Sequence, residues 1–273
     1  MISGAFRAFK YRRRLARAKA EIAARPATAD QPHGLPGPLV VSLTSYPARF
    51  DTLDLTLQGI LRQTVRPDRV ILWIAEEDRA KLPFPIACLE GLEVRTCPDW
   101  RSYKKIVPTL LAHPDAFIVT ADDDVHYPAD WLEKLVVAAR AGARIACHRA
   151  HRIVLRRDGQ PASYGEWHHN LDAPERSALI FLTGVSGVIY APGVFHPDVT
   201  RDDLFTRLAP RSDDVWLYWM HRLNGVEAQK IGARARILEW EGSQAQSLRA
   251  ANLHGTGNDQ AIAAMIGHYG WPG

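Results

Sequence analysis

The stretch Phe117-Ile-Val-Thr-Ala-Asp-Asp-Asp-Val-His-Tyr-Pro128 decides how this chain is read. Its apolar opening predicts a buried strand over Ala116–Thr120, and three carboxylates follow where the strand ends. In open α/β sheets, ligands bind outside the carboxyl ends of strands. Asp122 and Asp124 occupy alternate positions, so on an extended segment both project to one side and offer hard oxygen ligands to Mg²⁺ or Mn²⁺. The plainer alternative is an acidic turn, whose side chains satisfy the free N–H groups of the next helix.

The flanking sequence supplies the context. Strands are predicted at Leu39–Leu43, Arg69–Ala75 and Leu92–Thr96, with a helical stripe of Leu53, Leu57, Ile60 and Leu61 starting near Asp51. A helix is expected over Ile106–Leu111, and Trp131, Leu132, Leu135, Val136 and Ala139 mark an amphipathic helix opened by Pro128. This βαβα succession implies an α/β domain with a mostly parallel central sheet and helices on both faces. Further on, strands are expected at Arg144–Cys147, Leu179–Leu182 and Gly187–Tyr190, and helices over Asp213–Leu223 and Asn258–His268.

With 273 residues, 47% of them apolar and 23% charged, the chain can bury a sizeable core. Cys88, Cys97 and Cys147 are odd in number and lack C-x-x-C spacing, which argues against a disulfide framework or a structural zinc site and suits a cytoplasmic setting. Residues 1–25 hold eight Lys and Arg against one acid, a surplus of seven, so the rest of the chain is net −3 within the formal total of +4. Nucleic-acid binding by the main domain loses its support. These 25 residues read as a basic helix or tail, and residues 26–38, with four prolines and two glycines, as a linker to a folded region over 39–273. No run approaches the roughly 18 to 20 apolar residues of a membrane span. Ile2, Phe6 and Phe9 form a short apolar helical face among arginines, suited to peripheral contact with an anionic membrane at its inner face, or else simply solvated.

Four segments together resemble a known family. They are Val40-Val-Ser-Leu-Thr-Ser-Tyr-Pro47, the D-x-D-like Asp122-Asp123-Asp124, Thr183-Gly-Val-Ser-Gly-Val-Ile-Tyr190 and Ser212-Asp-Asp-Val-Trp216. Their order and spacing, over about residues 39 to 260, are similar to those of family 2 type glycosyltransferases of the GT-A fold. The resemblance implies a nucleotide-sugar donor, Mn²⁺ or Mg²⁺, a glycan or glycolipid acceptor, and a division into a nucleotide-binding half (39–127) and an acceptor-binding half (128–273). It implies donor contacts at Thr44, Ser45, Tyr46, Arg49, Asp99, Lys104, Asp122 and Asp123, with Lys104 or Lys105 as a flexible cation for phosphate and Glu76 or Glu77 near the base. Metal ligands would be Asp122, Asp124 and a late histidine, His254. Gly184, Ser186 and Gly187 would wall the acceptor site.

An inverting transfer needs a base within reach of the acceptor hydroxyl. The resemblance assigns that base to Asp214 or Asp213, although Ser212 followed by two acids is also an ordinary helix start. Trp100, Trp167 and Trp216 offer sugar-stacking rings or core packing. His148, His151, His168 and His169 lack a compact ligand spacing. Two rivals stay open, a nucleotidyltransferase acting on a sugar phosphate and a noncatalytic glycan-binding or membrane-scaffold protein. The absence of glycine from Thr44-Ser-Tyr-Pro-Ala-Arg49 disfavours the first.

Overall fold

The computed structural model describes residues 2–26, 31–242 and 257–273. Its first half alternates strand and helix: α1 (Ile2–Ala24), β1 (Gln31–Pro32), β2 (Leu39–Thr44), α2 (Phe50–Leu61), β3 (Val65–Arg66), β4 (Arg69–Ala75), α3 (Phe84–Ala87), β5 (Leu92–Cys97), α4 (Val107–Ala112) and β6 (Phe117–Ala121). The second half runs α5 (Trp131–Arg140), β7 (Ile145–Cys147), β8 (Ala150–Arg152), β9 (Glu175–Ser177), β10 (Ile180–Leu182), β11 (Val188–Tyr190), α6 (Asp202–Leu208), α7 (Asp213–Leu223), β12 (Ala228–Lys230) and α8 (Gly257–Tyr269).

Eight strands form the central sheet in the order β5-β4-β2-β6-β11-β7-β12-β9. The pairs from β5 to β6 and the pair β7-β12 are parallel, while β11 and β9 run against their neighbours. In register, Val41 stands between Val70 and Val119. The sheet is buried on both faces, which is why its central strands are continuous apolar runs. Leu39, Val41, Leu43 and Val119 meet Leu53, Leu57 and Ile60 of α2 and Leu132, Leu135 and Val136 of α5. The intervening Val40, Ile71, Trp73 and Ile118 point the other way. On that side Thr109 of α4 is hydrogen-bonded to Ser42 Oγ at 2.7 Å and accepts from Trp73 Nε1 at 2.7 Å, which fastens α4 to the strands.

α7 is apolar around most of its circumference, so it lies in the core rather than on it. Val215, Trp216, Leu217, Tyr218, Trp219, Met220 and His221 are all buried. The polar tips still find partners: Trp216 donates to Val199 O at 3.0 Å, Tyr218 to Ala178 O at 2.8 Å and Trp219 to Gly270 O at 2.9 Å. The acidic first turn of α7 therefore stands on a rigid seat.

One expectation is corrected. Pro128 precedes α5 rather than opening it, because the chain spends two more residues, Ala129 and Asp130, in turn before the helix. The segment expected to be a linker is tied to the domain over residues 31–38 while staying at the surface: β1 pairs with β3, His33 Nε2 lies 3.0 Å from Asp68 Oδ2, and Asp68 Oδ2 accepts from Leu39 N at 2.7 Å. The basic N-terminal helix is no free tail along its second half. Leu15, Ala18 and Ile22 are buried against Leu238 and Trp240, Tyr11 Oη donates to Glu239 O at 2.8 Å, and the buried Arg25 donates to Gly59 O and Tyr127 O. The three cysteines are free thiols.

Candidate active site

β2, β4, β5 and β6 all end at one edge of the sheet, and antiparallel β11 begins there. The turns at that edge carry residues 44–46, Asp78, residues 99–105 and the three aspartates, and residues 183–185 lead into β11 from the same side. With the start of α7 they enclose a cavity of about 810 Å³, a volume typical of small-molecule sites.

The chain bends at Asp123 and Asp124 as soon as β6 ends, so the three carboxylates do not follow an extended alternation. Asp122 Oδ1 accepts from Lys105 Nζ at 2.9 Å. Asp123 accepts from Ser45 Oγ at 2.5 Å and from Arg49 Nη1 at 2.9 Å, and the same Nη1 lies 2.5 Å from Asp124 Oδ2. Asp123 and Asp124 thus share one cation while Asp122 turns to another. Thr56 donates to Asp123 O at 2.9 Å and accepts from Trp240 Nε1 at 2.8 Å, and Trp240 N donates to Asp124 O at 2.9 Å. The acidic loop is held by its backbone, leaving its side chains to the cavity.

Lys105 is the hub. Tyr103 inserts into the core, stacking on Phe205 with ring centroids 4.2 Å apart and donating to Ala209 O at 2.6 Å. That anchor directs Lys104 to Asp99 and Lys105 to Asp122 and to Asp213 Oδ2, 3.2 Å away. The Asp213 contact is an ion pair without hydrogen-bond geometry, since Asp213 Oδ2 is buried with no hydrogen-bond partner. Burial pulls the Lys105 ammonium down, but Asp122, Asp213 and Asp214 outweigh it and hold the charge firmly. Arg49 is likewise held charged against its burial by Asp123 and Asp124.

The start of α7 departs from a simple helix cap. Ser212 stands at the N-cap position but makes no side-chain cap bond; its Oγ donates instead to Asn258 Oδ1 of α8 at 2.8 Å. Asp214 Oδ1 accepts from Gly184 N at 2.9 Å, and the half-buried carboxyl lines the cavity. Burial, then the neighbouring Asp213, push the Asp214 carboxyl up to about 7, against Lys105 and the Gly184 N–H. Asp123 is also raised, by burial, although Arg49 and Ser45 oppose it.

No family model and no curated protein matches the chain. What the site can do follows from its own geometry. Thr44, Ser45, Tyr46, Arg49, Asp99, Lys104, the three aspartates, Asp213 and Asp214 all line the one cavity. Gly184, Ser186 and Gly187, expected to wall the acceptor site, are not part of that lining among the described residues, whereas their neighbours Thr183 and Val185 are. Gly184 orients Asp214, and Ser186 and Gly187 form a positive-φ turn against Trp131, whose Nε1 donates to Ser186 O at 2.7 Å. A Cβ on Gly187 would lie 2.5 Å from the Trp131 ring, so the glycine serves close packing. Glu76 and Glu77 give way to Asp78 in the lining, and His254 lies outside the described residues. Trp167 and Trp216 are core residues.

Arg149, His151, Tyr164, His169, Arg211 and Glu239 also line the cavity without having been singled out as cavity residues in the sequence. His151 accepts from Asn170 N through Nδ1 at 3.0 Å, and burial, then Arg149 and His169, push it down to about 3, so it is a neutral ring. His148 is held behind the wall by Trp131 O at 3.0 Å.

Among the described residues, no group of three or more His, Cys, Asp or Glu side chains is arranged to enclose an ion alone. The donor chemistry fits a different mode, in which one or two carboxylates and the oxygens of a phosphate ligand share a hard cation. The described lining carries eight carboxylates against six Lys and Arg side chains. A diphosphate is repelled by that excess unless a cation enters with it. The resemblance assigns this role to Asp122 and Asp124, which here pair with Lys105 and Arg49 respectively.

Proposed function

We propose that the protein is a glycosyltransferase of the family 2 type with a GT-A fold, moving a sugar from a nucleotide-sugar donor onto a hydroxyl of a glycan or glycolipid acceptor with inversion. One observation carries this reading: a carboxyl raised to about 7, Asp214, faces the same cavity as the acidic strand end and its buried lysine. A general base works best when its pKa lies near the working pH.

Asp214 accepts the proton of the acceptor hydroxyl. The freed oxygen attacks the anomeric carbon, the bond from that carbon to the diphosphate oxygen breaks, and its electron pair leaves on the nucleoside diphosphate. Gly184 N–H fixes one carboxyl oxygen of Asp214, which leaves the group one working orientation. Asp213 keeps that carboxyl basic by its adjacent charge, and Lys105 limits the effect by standing between the two acidic groups. Mn²⁺ or Mg²⁺, held by Asp122 and Asp124, would supply neutralising charge to the departing diphosphate. Ser45, Tyr46 and Arg49, directly after β2, form the wall on which the nucleoside rests.

The test is a thermal-shift screen of UDP, GDP, CMP and TDP with and without Mn²⁺, on the protein and on Asp124→Ala. One nucleotide should raise the Tm only with metal, by mass action, and the substitution should remove the shift. Product analysis with the matching nucleotide sugar should then find nucleoside diphosphate or monophosphate and no pyrophosphate. Release of pyrophosphate when a nucleoside triphosphate and a sugar phosphate are supplied instead would select nucleotidyl transfer, and no shift with any nucleotide would select a noncatalytic binding protein.

A further inference from the structure

α1 has two faces that do opposite work. At about 100° per residue, Tyr11, Leu15, Ala18, Ile22 and Arg25 gather on one side, and that side is the one packed on the domain. Phe6 and Phe9 fall roughly 140–160° around from its centre, and they are 55% and 57% exposed. Both belong to the small set of large apolar side chains left exposed among the described residues. Each carries a cation: Lys10 Nζ lies 4.3 Å from the Phe6 ring centre and Arg13 Cζ lies 5.7 Å from that of Phe9. The single acid of residues 1–25, Glu21, is drawn to the domain side by Arg25 and by His126 at 2.9 Å. The outward half of the helix is therefore aromatic and uniformly basic.

We propose that this face is a docking surface for an anionic lipid bilayer, with Phe6 and Phe9 entering the headgroup layer and the surrounding lysines and arginines meeting lipid phosphates. Two observations select a bilayer over nucleic acid. The two aromatic rings project outward from the centre of the basic face, where a polyanion would meet them with no apolar partner, and the boundary between headgroups and acyl chains accepts them. The cationic surplus complements an anionic leaflet and adds to binding with each Lys or Arg near the surface. No helix among the described residues is long and apolar enough to cross a membrane, so the contact is one of lying on the surface. The docked face of α1 meets Leu238 and Trp240, and Ile237 and Glu239 of the same segment line the cavity. The bilayer surface would lie about one helix diameter, roughly 10 Å, from that wall.

The experiment uses the full chain, sedimented with vesicles of phosphatidylcholine alone or of phosphatidylcholine mixed with phosphatidylglycerol, over a range of salt. Binding should require the anionic lipid and weaken as salt rises. The double substitution Phe6→Ser with Phe9→Ser should lower the apparent affinity by on the order of a hundredfold while leaving the Tm unchanged, because both side chains face away from the domain. Arg12→Gln with Arg13→Gln should lower it about tenfold or more. Failure to bind anionic vesicles would overturn the proposal. So would full retention of affinity in the serine variant, or equal affinity for a DNA duplex, either of which would mark the face as a polyanion site. Vesicle binding requires neither nucleotide nor acceptor, so its failure leaves the transfer reading untouched.

Discussion

Asp122, Asp123 and Asp124 leave the end of a buried strand, whereas Asp213 and Asp214 open a buried helix, and the two acidic groups meet across one cavity with unequal supplies of cation. The strand-end group has Arg49 for two of its members and Lys105 for the third. The helix group draws on the same Lys105. A helix N-terminus ordinarily favours the ionised carboxylate. Here burial and an adjacent carboxylate reverse that preference for Asp214. Which proton is loose in this site depends less on local structure than on how many carboxylates each buried cation must serve.

Substitutions can break or sharpen that contrast. The largest effect is expected from Asp214→Asn, which should cut turnover by about a hundredfold to ten-thousandfold. The same change should not destabilise the protein at pH 8. A carboxyl raised from its ordinary value near 3.8 to about 7 keeps in the folded state a proton that the unfolded chain releases, so stability falls as pH rises through that window. Asparagine removes this dependence, and urea titrations at several pH values should show a flatter slope for the variant between pH 4 and 7. An equal slope would place the loose proton elsewhere.

Next in size is Lys105→Met, which strands Asp122 and Asp213 without their buried partner and should cost about 3–5 kcal/mol in urea denaturation at neutral pH. A loss under about 1 kcal/mol, the range of an exposed pair, would show that the two groups do not depend on one cation. A smaller and more diagnostic effect concerns pH alone. In the wild type, kcat/KM should rise with pH up to about 7 and then level, since Asp214 must be ionised to accept a proton. Asp213→Asn should move that inflection to lower pH, and Asp123→Asn should leave it where it is. The smallest effect is expected from Ser212→Ala, at about 0.5–1.5 kcal/mol for one lost hydrogen bond. It should be non-additive with Asn258→Ala, because the serine bonds that residue and not its own helix.

The parallel half of the sheet was legible because β2, β4 and β6 are apolar runs of five to seven residues and β5 alternates apolar with polar residues, with turns between them. β4 and α7 fall at the expected residues, and β2, β5 and β6 within one residue of them. β8, β9 and β12 were not legible. They are three-residue strands reading Ala-His-Arg, Glu-Arg-Ser and Ala-Gln-Lys, without period or composition to mark them, and their partners make them strands. The cavity shows the same division. Residues directly after strands could be placed from the sequence, since the sheet edge brings them together. Arg149 and His169 lie in irregular chain, His151 in the three-residue β8 and Tyr164 in a single helical turn, and packing sets the path of all four. The docking of α1 was hidden for another reason: Leu15, Ala18 and Ile22 lie among arginines, and the more conspicuous stripe of Phe6 and Phe9 turns out to be the exposed one.

The bond from Tyr11 to Glu239 spans 228 positions of sequence. During synthesis the helix is made before its seat, so at ribosomal rates of about 5–20 residues per second the two are separated by roughly 10 to 50 s. For that interval both faces of a basic, amphipathic helix are without the domain. Whatever first receives the emerging chain meets Leu15, Ala18 and Ile22 as well as Phe6 and Phe9, and the closing of the fold is the event that withdraws one face and leaves the other.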